Sequence, residues 1–304
     1  MVYTVTFNPA VDYVMRAKRV EFGETNRSQS EEIYFGGKGI NVSIVLQRLG
    51  IASTALGFVA GFTGVALEQA LSEQGVTTDF VRLQKGFTRI NVKLKTDEET
   101  EINAKGPEIS PEALEKLFTR LRTLQAGDTL VLAGSIPGSL PQDIYEKIME
   151  MLAERKIRFV VDATNELLLR VLPYRPFLIK PNQQELGELF GEKLSAEDEI
   201  VSAAQKLQKL GAQNVLVSRG KHGAMLAAQD GTVLWAKAAK GTMRNTVGAG
   251  DSMVAGFLYG WKQSGDYEYA LRCGIAAGGA TAFADGLAER EDFLRLLAQS
   301  GEVL

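Results

Sequence analysis

Thr129-Leu-Val-Leu-Ala133, Arg158-Phe-Val-Val-Asp162, Phe177-Leu-Ile179 and Val215-Leu-Val-Ser218 are four short apolar runs in the chain from residue 111 onward. Helical patterns at 111–124, 142–155 and 196–211 lie between and before them. Strands that are apolar on both faces and alternate with helices indicate a parallel sheet covered on both sides. The first half begins in the same way. Val2 to Phe7 reads as a strand ending at the turn signal Asn8-Pro9. Ile40, Ile44, Val45 and Leu49 have helical spacing, and Gly50 closes that helix. A strand at Ala52–Phe58 and a helix at Thr63–Gln74 come next, and residues 252–300 are nearly all helical.

Two segments break the rhythm. Residues 10–35 are polar with strand-like pieces at Val11–Met15 and Ser28–Tyr34. In residues 87–106, Ile90, Val92 and Leu94 alternate with Arg89, Asn91 and Lys93, and a polar turn precedes a returning strand, which predicts an antiparallel hairpin with one polar face. Both are too short to fold alone, so they are expected to pair as a small sheet projecting from the body. No linker or internal repeat divides residues 1–304, which predicts a single domain.

Composition narrows the chemistry. With one Cys (Cys273) and one His (His222), the chain has no internal disulfide and no multi-His metal centre, and any Ser-His-Asp triad would run through His222. The balance of 34 Lys+Arg against 37 Asp+Glu argues against a broad nucleic-acid surface. No apolar run approaches the ~18 residues of a membrane span. The start MVYTVTFNPAVD has no basic segment followed by an apolar one, so a cytoplasmic protein is expected.

Two segments carry candidate chemistry. In Asn245-Thr-Val-Gly-Ala-Gly-Asp-Ser-Met-Val-Ala-Gly-Phe257, the Gly248-Ala249-Gly250 turn opens a helix. Backbone N–H groups and the helix dipole there suit a phosphate oxygen, and Asp251 beside them suits a base for phosphoryl transfer. On the residues alone, a plain loop with Asp251 as a helix cap fits equally well. A dinucleotide fingerprint fits worse, because Met253 occupies its third Gly position. In Tyr34-Phe-Gly-Gly-Lys-Gly-Ile-Asn41, two glycines precede a helix, with Lys38 and Asn41 on its first turn. A solvent-exposed turn is the simpler reading of that segment, and its spacing is not that of a P-loop.

Taken in this order and spacing, the two segments resemble the ribokinase-like, or PfkB, family of carbohydrate kinases over essentially the whole chain. Thr6-Phe-Asn-Pro-Ala-Val-Asp12, Ala133-Gly-Ser-Ile-Pro-Gly138, Lys180-Pro-Asn-Gln-Gln-Glu185 and Ser218-Arg-Gly-Lys-His-Gly223 agree with it. The resemblance implies an α/β three-layer sandwich with a mainly parallel central sheet and a small β-sheet lid from about 10–35 and 87–106. It implies Asp251 as catalytic base, with Gly248, Ala249 and Gly250 as anion hole. Asp12, Gly36, Gly37 and Asn41 match sugar-binding positions. Lys180, Asn182, Ser218, Gly220 and Gly223 match the ATP side, together with Gly250. Glu185 and Asn182 match positions that meet Mg²⁺ largely through water. His222 is expected beside the nucleotide or exposed, without a catalytic role.

The opening TxNPAxD is similar to the branch acting on phosphorylated ketohexoses, and the hairpin Thr88–Leu94 to that of 1-phosphofructokinases. The implied reaction is ATP-dependent phosphorylation of the 6-hydroxyl of D-fructose 1-phosphate, giving fructose 1,6-bisphosphate. Tagatose 6-phosphate and fructose 6-phosphate remain alternative substrates, and a non-catalytic sugar-phosphate sensor is the rival from another class. The substrate's own phosphate needs a cation: Arg89 first, then Lys38, with Lys93 and Lys105 behind them. Asn103 is expected to face the sugar. Lids of this family often pair between subunits, which implies a homodimer.

Overall fold

The computed structural model describes residues 1–299. In chain order the first half contains β1 (Val2–Thr6), β2 (Ala10–Arg16), β3 (Ser30–Gly36), α1 (Lys38–Arg48), β4 (Ser53–Ala60), α2 (Gly61–Glu73), β5 (Thr77–Leu83), β6 (Arg89–Lys95) and β7 (Glu99–Ile102). The middle contains α3 (Pro111–Leu121), β8 (Thr129–Ala133), α4 (Ile144–Met151), β9 (Arg158–Asp162), α5 (Asn165–Val171), β10 (Leu178–Ile179), α6 (Gln183–Glu188) and α7 (Glu197–Lys209). The end contains β11 (Asn214–Ser218), β12 (Ala224–Ala227), β13 (Val233–Ala236), α8 (Ala249–Ser264), α9 (Tyr267–Ala282) and α10 (Arg290–Gln299).

Nine strands form one sheet in the order β13-β12-β11-β10-β9-β8-β1-β4-β5. Pairing is parallel from β5 to β11 and antiparallel only at the β11-β12-β13 edge. The pleat explains why both faces of each central strand are apolar. On β8, Leu130 and Leu132 pack with Leu117 and Leu121 of α3 and with Ile144 and Ile148 of α4. Their neighbours Val131 and Ala133 face the other way, onto a cluster with Val45 of α1, Val254 of α8 and Phe293 of α10. The result is three layers, helices over sheet over helices.

The polar segments do pair as a second sheet, in the order β3-β2-β6-β7. Its β2–β6 pairing is parallel, with Asp12 opposite Asn91, while both outer pairs are antiparallel.

One strand departs from the sequence pattern. Strand β5 is absent from the sequence reading, because Thr77-Thr-Asp-Phe-Val-Arg-Leu83 alternates weakly and only Phe80 and Val81 are buried in it. Helix α1 begins at Lys38 after Gly37 with φ 138°, which puts Lys38 and Asn41 on its first turn as expected. Residue 300, the end of the predicted helical region, lies outside the described residues.

Candidate active site

The site residues collect at the carboxyl ends of the parallel strands, where β1 lies between β4 and β8 and the strand order reverses direction. This is where an open α/β sheet leaves a crevice for ligands. Strand β1 runs out at Thr6, whose Oγ1 accepts from the Ile40 N–H at 3.0 Å and pins the start of α1 to it. Strand β9 delivers Asp162, β10 runs into Lys180, and α8 begins over both.

Gly248 caps α8 with φ 78°, a left-handed conformation that glycine adopts without steric cost. Asp251 lies in the first turn and is 5% exposed. Asn41 on α1 donates from Nδ2 to Asp251 Oδ2 at 2.8 Å. Burial, reinforced by the negative charge of Asp162, pushes the Asp251 carboxyl up to about 6, while Asn41, Lys38 and Lys180 pull the other way. The group is therefore largely a carboxylate at neutral pH, with a proton affinity suited to a general base.

Beside it stands a chain of alternating charges. Asp162 Oδ1 lies 3.4 Å from Lys38 Nζ and 3.5 Å from Lys180 Nζ. Burial alone would raise Asp162, yet Lys180 and Lys38 outweigh it and hold the carboxyl below its usual range. Burial likewise works against the Lys38 ammonium, but Asp162 and Asp251 leave it more firmly protonated. A Cβ at Gly250 would sit 3.1 Å from Lys180 Nζ, so the missing side chain lets that ammonium approach the helix start. Two cations, the amides at the start of α8 and one poised base make an arrangement fit to hold transferring phosphoryl charge.

Two cavities open onto this centre, and a third lies beside α9 and β13. One, of about 130 Å³, is lined by Asp12, Gly36, Gly37, Asn41 and Lys93. A second, of about 430 Å³, carries Arg89, Lys38, Ser135 and Asp162. The third, of about 790 Å³, is lined by Arg219, His222, Trp235, Arg272 and Ile275. Arg89 donates from Nε to the Asn8 carbonyl at 3.2 Å, which fixes its stem. Burial lowers its pKa, with Asp12 partly opposing.

Most sequence-predicted residues therefore converge, with exceptions. Asn103 is exposed and lines none of these cavities. The β6 residue that reaches inward is Asn91, 6% exposed, which donates to Asp12 Oδ1 at 2.8 Å. Lys93 faces the carboxylates of Asp12 at 3.6 Å and Glu101 at 3.1 Å. Lys105 contributes its carbonyl, which accepts from Asn8 at 3.0 Å. Asn182 and Glu185 form a capping box on α6: Asn182 Oδ1 accepts from the Glu185 N–H and Glu185 Oε2 from the Asn182 N–H, both at 2.8 Å. Ser218 bridges to Asn182 through the main chain. Gly220 starts the short turn carrying His222 into the largest cavity, and Gly223 packs on the backbone of Ala236. Asp162 and Ser135 escaped the sequence reading as site residues. A carboxylate ending the apolar run Arg158–Asp162 is the signal that finds the first, since a buried strand has no other use for it.

A model of the pfkB family carbohydrate kinases matches residues 5–292. The chain belongs to that family. It is 47% identical over 98% of its length to a Bacillus subtilis protein named 1-phosphofructokinase, covering 98% of that protein. It is 40% identical over 95% of its length to a Bacillus licheniformis D-tagatose-1-phosphate kinase, again covering 95%. An Arabidopsis thaliana ribokinase structure shares the fold at TM-score 0.82 and 22% identity, covering 97% of this chain and 98% of that one. The chain is thus a phosphotransferase with the ribokinase-like fold, acting on a carbohydrate.

Proposed function

We propose that this kinase transfers the γ-phosphoryl of ATP to the 6-hydroxyl of D-fructose 1-phosphate. The observation that carries the reading is the buried Asp251, oriented by Asn41 at 2.8 Å on the start of α8. As the 6-hydroxyl oxygen bonds to the γ-phosphorus, the bond from phosphorus to the bridging oxygen breaks, and ADP leaves with that electron pair. The hydroxyl proton passes to Asp251. The amides at Gly248, Ala249 and Gly250 and the ammonium groups of Lys38 and Lys180 take up the phosphoryl charge.

Asp12, Gly36, Gly37 and Asn41 form the sugar cleft, and Arg89 with Lys38 and Ser135 receives the 1-phosphate in the adjoining cavity. ATP lies along Lys180, Asn182, Ser218, Gly220 and Gly223, its base toward the His222 cavity. Among the described residues no group of three or more His, Cys, Asp or Glu forms a metal cage. Mg²⁺ suits such a site, because it keeps waters and rides on nucleotide phosphates, where it neutralises their charge. In the α6 cap Glu185 uses only Oε2, which leaves Oε1 to meet the ion through water with Asn182 beside it.

The small sheet acts as the lid of a single kinase domain. Its outward face carries Tyr13, Met15, Ile33, Ile90, Val92, Leu94 and Ile102, and Ile33 and Ile102 are 55% and 59% exposed. An apolar sheet face of this kind needs a cover, and a second copy of the chain supplies it, giving a homodimer. No helix among the described residues is long and apolar enough to cross a membrane, in keeping with a cytoplasmic enzyme drawing on cellular ATP.

The Bacillus licheniformis relative supports a second reading, in which an epimeric 1-phosphate, D-tagatose 1-phosphate, is accepted. A sensor role has no use for a buried carboxylate on a phosphate-binding helix start. The test is Asp251→Asn. Turnover is expected to fall by about 10²–10⁴-fold, with sugar and nucleotide affinities within a few-fold of wild type by calorimetry. Near-wild-type turnover would remove Asp251 from its role.

A further inference from the structure

The carboxylate of Asp12 is held from the neighbouring strand at both of its oxygens. Asn91 lies opposite Asp12 in the parallel β2–β6 register. Its Nδ2 donates to Asp12 Oδ1 at 2.8 Å, and its Oδ1 accepts from the Ala104 N–H at 3.2 Å. The second contact fixes the amide, because a flipped side chain would set NH₂ against N–H. Lys93 Nζ lies 3.6 Å from Asp12 Oδ2 and is tied to Glu101 on β7 at 3.1 Å. Asn91 and Lys93 are 6% and 8% exposed, well buried for side chains in a small projecting sheet. Stability of the sheet does not call for them: apolar residues of similar size would pack there without desolvating an amide and an ammonium.

We propose that Asn91, backed by Lys93, is a positioning residue of the sugar site, holding the Asp12 carboxylate in the orientation from which it reads a sugar hydroxyl. Asn91 joins β2, β6 and the chain leaving β7, so Asp12 takes its orientation only when these three segments are assembled. A free carboxylate would rotate about χ1 and χ2 and accept hydroxyls of either configuration. A fixed one favours a single epimer. The inference rests on the reading of Asp12 as a sugar ligand, and the experiment separates the two.

Binding of D-fructose 1-phosphate, D-tagatose 1-phosphate and ADP is measured by calorimetry at pH 8 and pH 6 for wild type and for Asp12→Ala, Asn91→Asp and Lys93→Met. Asn91→Asp keeps the shape but sets a second carboxylate against Asp12. Two such groups cannot both ionise without mutual cost and come to share a proton as pH falls. Relative to wild type at the same pH, the fructose 1-phosphate Kd is expected to rise about 10–100-fold at pH 8 and to return within about threefold at pH 6. ADP affinity should be unchanged.

Arg89, Lys93, Lys95, Glu101, Glu99, Tyr34, Glu32 and Arg16 of the small sheet, and Arg244 and Asp285 across the cleft, also face this region. They are common to both proteins, as is the substrate's phosphate, so the ratio removes their titration. Lys93→Met should weaken fructose 1-phosphate binding about 3–10-fold and narrow the preference between the two epimers. Weakening that is equal at both pH values, or absent in both variants while Asp12→Ala weakens binding, would overturn the positioning role. Unchanged sugar binding in Asp12→Ala would overturn the sugar-ligand reading beneath it.

Discussion

The two sheets obey the same alternation and use it in opposite senses. In the central sheet, Leu132 and Val131 face opposite sides and both are buried beneath helices. In the small sheet, the face turned to the cleft carries Asp12, Asn91 and Lys93, while Ile33 and Ile102 face outward. The contrast shows that an apolar face marks whatever covers it. The central sheet is covered by its own helices. In the proposed function, the small sheet turns its polar face to the sugar and its apolar face to a second copy of the chain.

Substitutions that treat the two sheets alike should therefore give unlike results. Leu132→Ala opens a cavity in the central sheet and should cost about 2–5 kcal/mol by denaturant titration. Ile33→Asp should change the stability of the chain by about 0.5 kcal/mol or less, yet convert the dimer to monomer in sedimentation at micromolar concentration. A wild-type monomer under those conditions would end the proposal that a second copy covers this face. A loss of several kcal/mol in Ile33→Asp would show that the face is packed within the chain.

The smallest expected effect lies beneath the central sheet's carboxyl ends. With Asp251 at about 6, kcat/KM should hold above that pH and fall below it, since the protonated group cannot accept the hydroxyl proton. Asp162→Asn removes a charge that raises Asp251, so the acid limb should move to lower pH by about one unit. An unmoved limb would mean that another group sets it.

The central sheet was legible because its runs are apolar on both faces and its helices carry clear periodicity. The exception was β5, whose half-exposed Thr77–Leu83 offers neither signal. The site was legible where a motif marks a backbone shape, as at Gly248–Asp251 and Gly36–Asn41. It was less so where geometry brings distant residues together. Asp162 reads as the end of a strand until Lys38 and Lys180 are seen on either side of it. Asn103 and Asn91 are two asparagines of one hairpin; alternation puts Asn91 on the polar face, and only the strand register shows that it stands opposite Asp12. Asn182 and Glu185 admit a cap and a ligand role together, and the cap they form leaves the second open.

In the proposed reaction, the site phosphorylates a ketohexose that already carries a 1-phosphate. ADP release in a coupled assay, compared as kcat/KM across fructose 1-phosphate, tagatose 1-phosphate, fructose 6-phosphate, tagatose 6-phosphate and ribose, tests it most directly. Fructose 1-phosphate should come first, its tagatose epimer next, and the 6-phosphates and ribose at least about 100-fold lower, the scale expected when a site's cations and hydrogen-bonding groups are left unpaired. A 6-phosphate or free ribose equal to or better than fructose 1-phosphate would contradict it.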